Sequence, residues 1–519
     1  MSGKIQVIGD MVGRAVTNPE ALIVEPTGCG EQNLATMMPI VHVMEFLNLT
    51  GRLTEDIKQR AIQNMAIGYV RQMRYRHSDG SFSAFGQGRS EPSGWLTVLS
   101  MSTLWSMRPY TFVDRNIIEQ GMIFLEKLQD MSTGAFKPVG TLFNNALKGG
   151  ADDDVSFTCA VVNLLSETYY AATPSLLRPA LTYLDAASRR EQSLYNYAML
   201  YKTFRLTGNE ERANAMHEKL KSLAIDEGGS LHWERRSQPE QKTPFLFSPS
   251  APSAELEITA TVLEAMAHGK NSSTVSPEEL NNMAKIANWI VGQQNIYGSY
   301  RTTSDTVVVL GALCAYGILV YQKDATNKVL LKRADQVLKE FVVDQASRIV
   351  LQTEVLPQVP GDYSLDVSGN GCVLVQTGVE FNIPVERESS AFSLSLTTFP
   401  ENCKDGVAYT VDIQVNASYH GIQNKSNMAL MNIPLFSGYS VAYDSQSKLQ
   451  SQFSKAEVKN NRLFIYFDNM DSDGVSFNVT LEMGPRVENF QERTLILYDY
   501  YETDERVSSP MYHPCTSSG

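Results

Sequence analysis

A cysteine and a glutamine lie three residues apart in the segment PTGCGEQN, residues 26–33 of the chain. Glycines flank the cysteine on both sides, and glycine permits backbone conformations and close approaches that other residues cannot adopt. This freedom could bring the Cys29 sulfur against the side-chain carbonyl of Gln32. If the sulfur displaced ammonia from that carbonyl, the product would be an internal thioester, a strained acyl donor stored inside the fold.

Two other interpretations of Cys29 are open at this point. A single cysteine beside glycines is most often a small, buried and inert thiol. A cysteine at the start of a helix can also be an activated nucleophile. That role needs a nearby base, for which His42 is one of seven candidate histidines. The spacing of Cys29 and Gln32 does not by itself decide among the three.

A second candidate site is the acidic run Asp152-Asp153-Asp154. Grouped carboxylates can act as general acids, general bases or metal ligands. An acidic run directly before an apolar helix more often caps that helix, because a helix N-terminus favours negative charge. No grouping of cysteine and histidine has metal-ligand spacing, so we expect neither a metal site nor a cofactor.

Composition describes an ordinary globular chain of several domains. The 519 residues are too many for one core and predict two to four domains. The net charge of −13 argues against a nucleic-acid or anionic-membrane partner, and no apolar run predicts a transmembrane helix. The N-terminus lacks the apolar stretch of a signal peptide, and six cysteines are too sparse for a disulfide scaffold. Composition therefore leaves the compartment open.

Residues 12–322 are predicted to be mostly helical. Apolar residues recur at helical spacing in several stretches, and glycine-centred turns recur between them, at residues 79–82, 133–136, 228–231 and 297–300. A recurring turn of this kind indicates repeated helical hairpins. Hairpins arranged in a ring, an α/α toroid, would bury one helix of each pair and leave the other partly exposed.

The apolar period changes after residue 323. One further helix is expected over residues 329–341, followed by short strands near residues 364–367 and 372–375. From residue 382 onward, clear alternation predicts antiparallel strands that form a β-sandwich. Residues 444–456 are a polar insertion in which one short amphipathic helix is expected.

Four segments resemble the α2-macroglobulin and complement superfamily. GCGEQN at residues 28–33 resembles the thioester signature of the superfamily. NNALKGG at 144–150, APSAE at 251–255 and YDYYETDE at 498–505 resemble α2-macroglobulin segments in the same order. The similarity covers nearly the whole chain and is closer to α2-macroglobulins than to complement components.

The resemblance implies a multidomain α plus β architecture. Residues 12–322 would form an α/α toroid thioester domain. A partial β-rich CUB-like module would be contributed by residues 1–11 and 323–381. Residues 382–519 would form a C-terminal antiparallel β-sandwich of the receptor-binding type.

The resemblance also implies a function. The family traps a protease after it cuts a bait segment, then cross-links it through the thioester, here Cys29 and Gln32. Asn144 stands where complement components that transfer to hydroxyls carry histidine. Asparagine has no titratable nitrogen, so reaction with amines, chiefly lysines of target proteases, is expected. No bait segment is visible, so we expect the covalent attachment module of a secreted, broad-spectrum protease inhibitor rather than an enzyme.

Two rival functions and a shielding requirement accompany this hypothesis. The rivals are a complement-like opsonin module that tags surfaces, and a toroid enzyme that uses the acidic run at residues 152–154.

A thioester also has to be shielded from water. Met37, Met38, Phe46 and Tyr439 are the apolar residues expected to form that cover.

Several features of the last domain follow from the resemblance. It favours a disulfide between Cys403 and Cys515, although two unrelated thiols are the alternative. In α2-macroglobulin, two lysines after an Ile-Pro-Leu segment engage an endocytic receptor, whereas here the matching positions carry Phe436 and Ser440. The usual receptor contact is therefore not expected.

Sequons that permit glycosylation occur at Asn48, Asn271, Asn416, Asn424 and Asn478.

Overall fold

The structure is a computed structural model, and its described residues fall into two compact units, one before and one after residue 385. The described residues are 2–9, 23, 25–26, 28–140, 153–168, 173–235, 253–271, 273–294, 300, 303–334, 336–348, 350–381, 391–400, 403–404, 406–421, 425–487, 490–500 and 505–515.

Paired helices make up most of the first unit. In chain order they are α1 (Gly30–Leu49), α2 (Glu55–Gln72), α3 (Gly94–Met107), α4 (Arg115–Glu126), α5 (Asp154–Glu167), α6 (Pro174–Ser188), α7 (Leu194–Leu206), α8 (Glu210–Leu223), α9 (Ser253–Ala267), α10 (Pro277–Gly292) and α11 (Thr303–Val320). Each odd-numbered helix packs against the next odd-numbered one, and α11 packs against α1. The inner helices therefore close a ring, and the α/α toroid predicted from the sequence is confirmed.

The inner and outer helices differ as their sequences require. The inner helix α3, GWLTVLSMSTLWSM, carries no charged residue and is buried on most of its surface. The outer helix α2, EDIKQRAIQNMAIGYVRQ, buries one narrow stripe and exposes its charges. Although the inner helices are apolar, no helix within the described ranges is long and apolar enough to cross a membrane.

Two of the recurring glycine turns, at residues 79–82 and 133–136, make the same contact with neighbouring helices. Gly80 has a φ of +93°, and a Cβ there would lie 2.4 Å from the backbone oxygen of Gln120 on α4. Two residues later, the Phe82 N–H donates to the Thr97 hydroxyl of α3 at 2.9 Å. The next turn repeats this contact. Its equivalent phenylalanine, Phe136, donates to the Thr158 hydroxyl of α5 at 2.9 Å. These two turns thus share one docking contact with the inner helices.

Strands of the first unit form a small hairpin and two three-stranded sheets. The hairpin is β2 (Ile225–Glu227) and β3 (Ser230–His232). The strand β1 (Ser2–Ile8) pairs with β6 (Gln352–Val355) and β8 (Leu374–Glu380), whereas β4 (Asn327–Arg333) pairs with β5 (Gln336–Val343) and β7 (Ser364–Gly369). Residues from both sheets share one apolar core. The start of the chain is thus paired with strands that follow the toroid.

The helix predicted over residues 329–341 is wrong. This segment forms the β4–β5 hairpin, whose turn places Ala334 at a φ of +51°. Its apolar residues fit the helical and the strand period equally well over so short a run. Burial decides between the two, because alternate residues such as Val329 and Phe341 pack into the core between the sheets.

The second unit is an antiparallel β-sandwich, as predicted. Its strands are β9 (Phe392–Pro400), β10 (Thr410–Tyr419), β11 (Ala429–Pro434), β12 (Tyr439–Val441), β13 (Lys455–Lys459), β14 (Arg462–Phe467), β15 (Val475–Met483), β16 (Arg493–Asp499) and β17 (Arg506–Met511). The sheet orders are β12-β15-β10-β9 and β13-β14-β11-β16-β17. The short helix expected in the polar insertion is α12 (Tyr443–Gln452), which buries Leu449 against the sandwich.

A disulfide and a buried histidine hold the C-terminal end of the sandwich. Cys403 and Cys515 are joined with their Cα atoms 5.6 Å apart. The Cys515 N–H donates to Nδ1 of His513 at 3.3 Å, so Nε2 of that ring carries the proton and lies 2.8 Å from the Tyr439 hydroxyl. The His513 ring stacks on Phe490. Burial lowers the pKa of His513 to about 4.

Acidification should weaken this end of the sandwich. The pKa of His513 is about 4 in the folded state and about 6.5 ordinarily, so its stabilisation is complete above pH 6.5. That stabilisation is lost as the pH falls from about 6.5 towards 4, to a total of about 3 kcal/mol. Hydrogen exchange of β10 and β15 in the full chain measures the loss. His513→Gln should make this stability less dependent on pH, whereas His420→Gln, at an exposed position, should not. If the wild type and both variants lost stability equally with falling pH, the loss would not come from His513.

Candidate functional site

The first turn of α1 brings Cys29 and Gln32 together. Gly28 has a φ of +84°, in the left-handed region, and Cys29 is extended with a φ of −81° and a ψ of −178°. Cys29 thereby becomes the N-cap of α1, and Gln32 is the third residue of the helix. Side chains at these two positions face each other across the first turn.

The two side chains pack reciprocally. The backbone N–H of Cys29 donates to Oε1 of Gln32 at 3.0 Å, and the Cys29 side chain lies against the backbone N–H of Gln32. Cys29 has no exposed surface and Gln32 is 8% exposed. The thiol and the carboxamide are therefore held side by side, away from bulk water, at the positive end of a helix dipole.

The glycines on either side of Cys29 are required for space. A Cβ at residue 28 would lie 1.8 Å from Oε1 of Gln32, so the carboxamide rests directly on the glycine backbone. A Cβ at residue 30 would lie 2.8 Å from the backbone oxygen of Ser83. The first glycine makes room for the glutamine, and the second lets the turn dock on a neighbouring loop.

That loop lies between α2 and α3 and supports the turn from below. Its Tyr75 hydroxyl donates to the Gly28 carbonyl at 2.7 Å, and its Ala84 carbonyl accepts from the Gly30 N–H at 2.8 Å. Within the loop, the Ser83 hydroxyl lies 2.7 Å from Nε2 of His77. These supporting residues have no local sequence signal, because the contacts join segments far apart in the chain.

Asn33, the last residue of GCGEQN, anchors α1 to its neighbours. Its Nδ2 donates to the Gly68 carbonyl at 2.9 Å and to Oε1 of Gln72 at 2.8 Å. Nε2 of Gln72 then donates to the Ser100 hydroxyl on α3 at 3.1 Å. Asn33 and Gln72 are fully buried, so these bonds fix the start of α1 within the toroid.

His42 is too distant to act as a base for Cys29. It lies twelve residues beyond the start of α1, which is about 18 Å along the helix. Its ring packs close to Gly311 on α11, and burial lowers its pKa below the ordinary value. The interpretation of Cys29 as a nucleophile activated by His42 is therefore wrong.

The expected apolar cover is distributed differently from the hypothesis. Phe46 lies sixteen residues beyond the start of α1, about 24 Å away, and cannot cover Cys29. Met37 is buried against Gly68, between α1 and α2. Tyr439 is buried in the sandwich core, where its hydroxyl donates to the Ala408 carbonyl. Cys29 itself has no exposed surface, Gln32 packs beside it on Gly28, and the Tyr75 ring lies against Gly30.

The acidic run acts as a helix cap where the structure describes it. Oδ1 of Asp153 accepts from the Ser156 N–H at 2.8 Å, and Oδ2 accepts from Nδ2 of Asn196 at 2.6 Å. Asp154 is the first residue of α5, and Asp152 lies outside the described residues. Across the described ranges, no group of three or more His, Cys, Asp or Glu side chains is arranged to hold a metal. Asp153 therefore caps α5 and also ties it to Asn196.

Asn144, predicted to set the reactivity of the site, lies outside the described residues, as does the surrounding segment 141–152. Its role stays a prediction.

Known proteins share both the helical and the β-rich parts of this chain. The A-macroglobulin TED domain matches residues 4–316, and the A-macroglobulin receptor binding domain matches residues 424–513. Ovostatin from Gallus gallus is 34% identical over 505 residues, which cover 96% of this chain and 34% of ovostatin. The chain therefore spans about a third of the length of this relative.

Replacing Gly28 by alanine should separate Gln32 from Cys29. The new Cβ would overlap the carboxamide and also strain the positive φ, so the free energy of unfolding should fall by about 3 kcal/mol. Gly51→Ala is the matched control. Its φ is +68° with no atom within 4 Å of the added Cβ, and it should cost about 1 kcal/mol. Urea denaturation compares the two variants. Equal losses of unfolding free energy would show that the Gln32 carboxamide does not pack tightly on residue 28.

Proposed function

Because the chain belongs to the α2-macroglobulin family, we propose that it carries the covalent attachment module of a broad-spectrum protease inhibitor. An internal thioester between Cys29 and Gln32 acylates amines of trapped proteases. The observation that carries this proposal is the reciprocal packing of the two buried side chains at the start of α1. The chain acts by acylation of its target and not as an enzyme that turns over.

The proposed bond forms by loss of ammonia. The Cys29 sulfur attacks Cδ of Gln32, the carbonyl electron pair moves to Oε1, and a tetrahedral intermediate results. When the intermediate collapses, the C–N bond breaks and ammonia leaves with the thiol proton. The product is a thioester that retains Oε1 as its carbonyl oxygen.

The proposed thioester is consumed by an amine. A lysine amine of the target attacks the same carbon, an amide bond forms and the C–S bond breaks. The amine proton passes to the departing sulfur, which restores the Cys29 thiol. Burial of Cys29 and Gln32 supports this assignment, because exclusion of water limits competing hydrolysis. Amines are the expected nucleophiles, since Asn144 supplies no imidazole.

Secretion and receptor binding are further parts of the proposal. The Cys403–Cys515 disulfide is typical of an oxidising, extracellular compartment. The match to a receptor binding domain supports a receptor partner. The usual lysine contact is absent, because Phe436 stands at the first matching position and is fully buried in the sandwich core. Receptor binding by this chain would have to use other residues.

Methylamine tests the thioester directly. After allowance for the disulfide and any glycans, the intact mass should be lower than the sequence mass by one ammonia. Methylamine should then add to Gln32 and release one titratable thiol at Cys29. Cys29→Ser and Gln32→Ala should abolish both changes, whereas Cys159→Ser, which removes a buried thiol elsewhere, should keep them. A wild-type chain that has lost no ammonia and takes up no methylamine would contradict the proposal.

Substitution of Asn144 tests the preference for amines. Asn144→His would supply an imidazole able to accept the acyl group and to act as a base, so transfer to glycerol should rise relative to methylamine. The expected change in that ratio is about 100-fold, the scale of general-base catalysis. Radiolabelled glycerol and methylamine measure it in parallel. An unchanged ratio would refute the role of Asn144 and leave the thioester itself intact.

A further inference from the structure

One peptide unit links the supporting loop to the reacting carbonyl. The peptide between Gly28 and Cys29 accepts at its oxygen from the Tyr75 hydroxyl, at 2.7 Å. Its N–H donates to Oε1 of Gln32, at 3.0 Å. Tyr75, the peptide and the Gln32 carbonyl therefore form one continuous hydrogen-bonded chain.

We infer that this peptide N–H is the oxyanion donor of the site and that Tyr75 is the positioning residue that orients and polarises it. The inference rests on the proposed thioester and adds to it the groups that stabilise its transition states. In both formation and aminolysis of the thioester, a nucleophile adds to Cδ of Gln32 and the electron pair of the carbonyl moves to Oε1. The developing negative charge thus lies on the atom that the Cys29 N–H already contacts.

The surroundings strengthen this donor. A hydrogen bond to a peptide carbonyl polarises the peptide and makes its N–H a better donor, so the Tyr75 contact adds to the contact at Oε1. The positive end of α1 lies at the same place, and Cys29 is fully buried, where electrostatic interactions are less screened than in water. Because the donor is in place before reaction, no group has to reorganise as charge develops.

The position of the Tyr75 hydroxyl is itself fixed. Tyr75 ends a short 3₁₀ helix, Met73–Tyr75, and its carbonyl accepts from the Ser83 N–H at 3.1 Å. Its ring lies against Gly30, where an added Cβ would be 3.0 Å from Cγ of the tyrosine. The ring therefore packs under the cysteine turn while the hydroxyl reaches the carbonyl of residue 28. Phenylalanine would keep the ring contact and remove the hydrogen bond.

Tyr75→Phe is the primary test. Thioester formation and reaction with methylamine should each slow by about tenfold, less than the 100- to 1,000-fold expected when an oxyanion donor is lost outright. Tyr69→Phe is the matched control, because it removes another hydroxyl of the same hairpin, one that contacts the Asp114 N–H and not the cysteine turn. The control should react at the wild-type rate.

A spectroscopic readout separates polarisation from a merely structural role. With carbon-13 in the glutamine side chains, the infrared band lost on methylamine treatment reports the thioester carbonyl. A hydrogen bond lowers this frequency, so the band should lie higher in Tyr75→Phe than in wild type and Tyr69→Phe. A ring-fluorinated tyrosine at position 75 keeps the hydroxyl and makes it a stronger donor. It should move the band and the rates in the opposite direction.

The results test the role of Tyr75 separately from the proposed thioester on which that role depends. A wild-type chain without a methylamine-sensitive band contradicts the thioester itself. If that band is present, unchanged rates and frequency in both position-75 variants overturn the role of Tyr75. If Tyr75→Phe does not fold, the fluorinated variant decides, since an unshifted band there also overturns it.

Discussion

The Gln32 carboxamide packs directly on the backbone of residue 28, and the candidate site depends on this contact. A side chain at residue 28 would fill the space that the carboxamide occupies, and the positive φ of Gly28 sets the direction in which Cys29 enters the helix. Both requirements fall on one residue, so the turn and the pair of functional groups are specified together. The glycine at residue 30 has a similar steric role, because its lack of a side chain lets the turn approach the loop between α2 and α3.

The toroid turns this local arrangement into a rigid one. Asn33 connects the start of α1 to α2, and Gln72 continues the connection to α3. This buried network favours one geometry, since breaking it would leave the buried amide donors of Asn33 and Gln72 without their partners. The inner helices supply the apolar surroundings, and the loop between α2 and α3 supplies Tyr75. Chemistry at Gln32 thus rests on contacts from three successive elements of the ring.

Much of this architecture could be predicted from the sequence, and the exceptions have physical reasons. The glycine turns predicted repeated hairpins, and the turns at residues 79–82 and 133–136 both place a phenylalanine N–H against a threonine hydroxyl of an inner helix. The β4–β5 hairpin was predicted to be a helix, because a short apolar run fits both the helical and the strand period and only burial separates the two. Cys29 and Gln32 could be identified because they are close in sequence. Tyr75 could not, because its partner carbonyl is 47 residues away and no local pattern marks the contact.

Closure of the ring also determines when α1 can be buried on all sides. The helix α1 that begins at the cysteine is buried partly by α11, which lies on the order of 250 residues later in the chain. A ribosome needs about 12 to 50 s to synthesise that length, and until then one side of α1 has no partner. During this interval the side of α1 that carries His42, which packs close to Gly311 in the finished ring, has no partner from α11. Stable burial of α1 on all sides therefore comes late in biosynthesis, only once α11 has been synthesised.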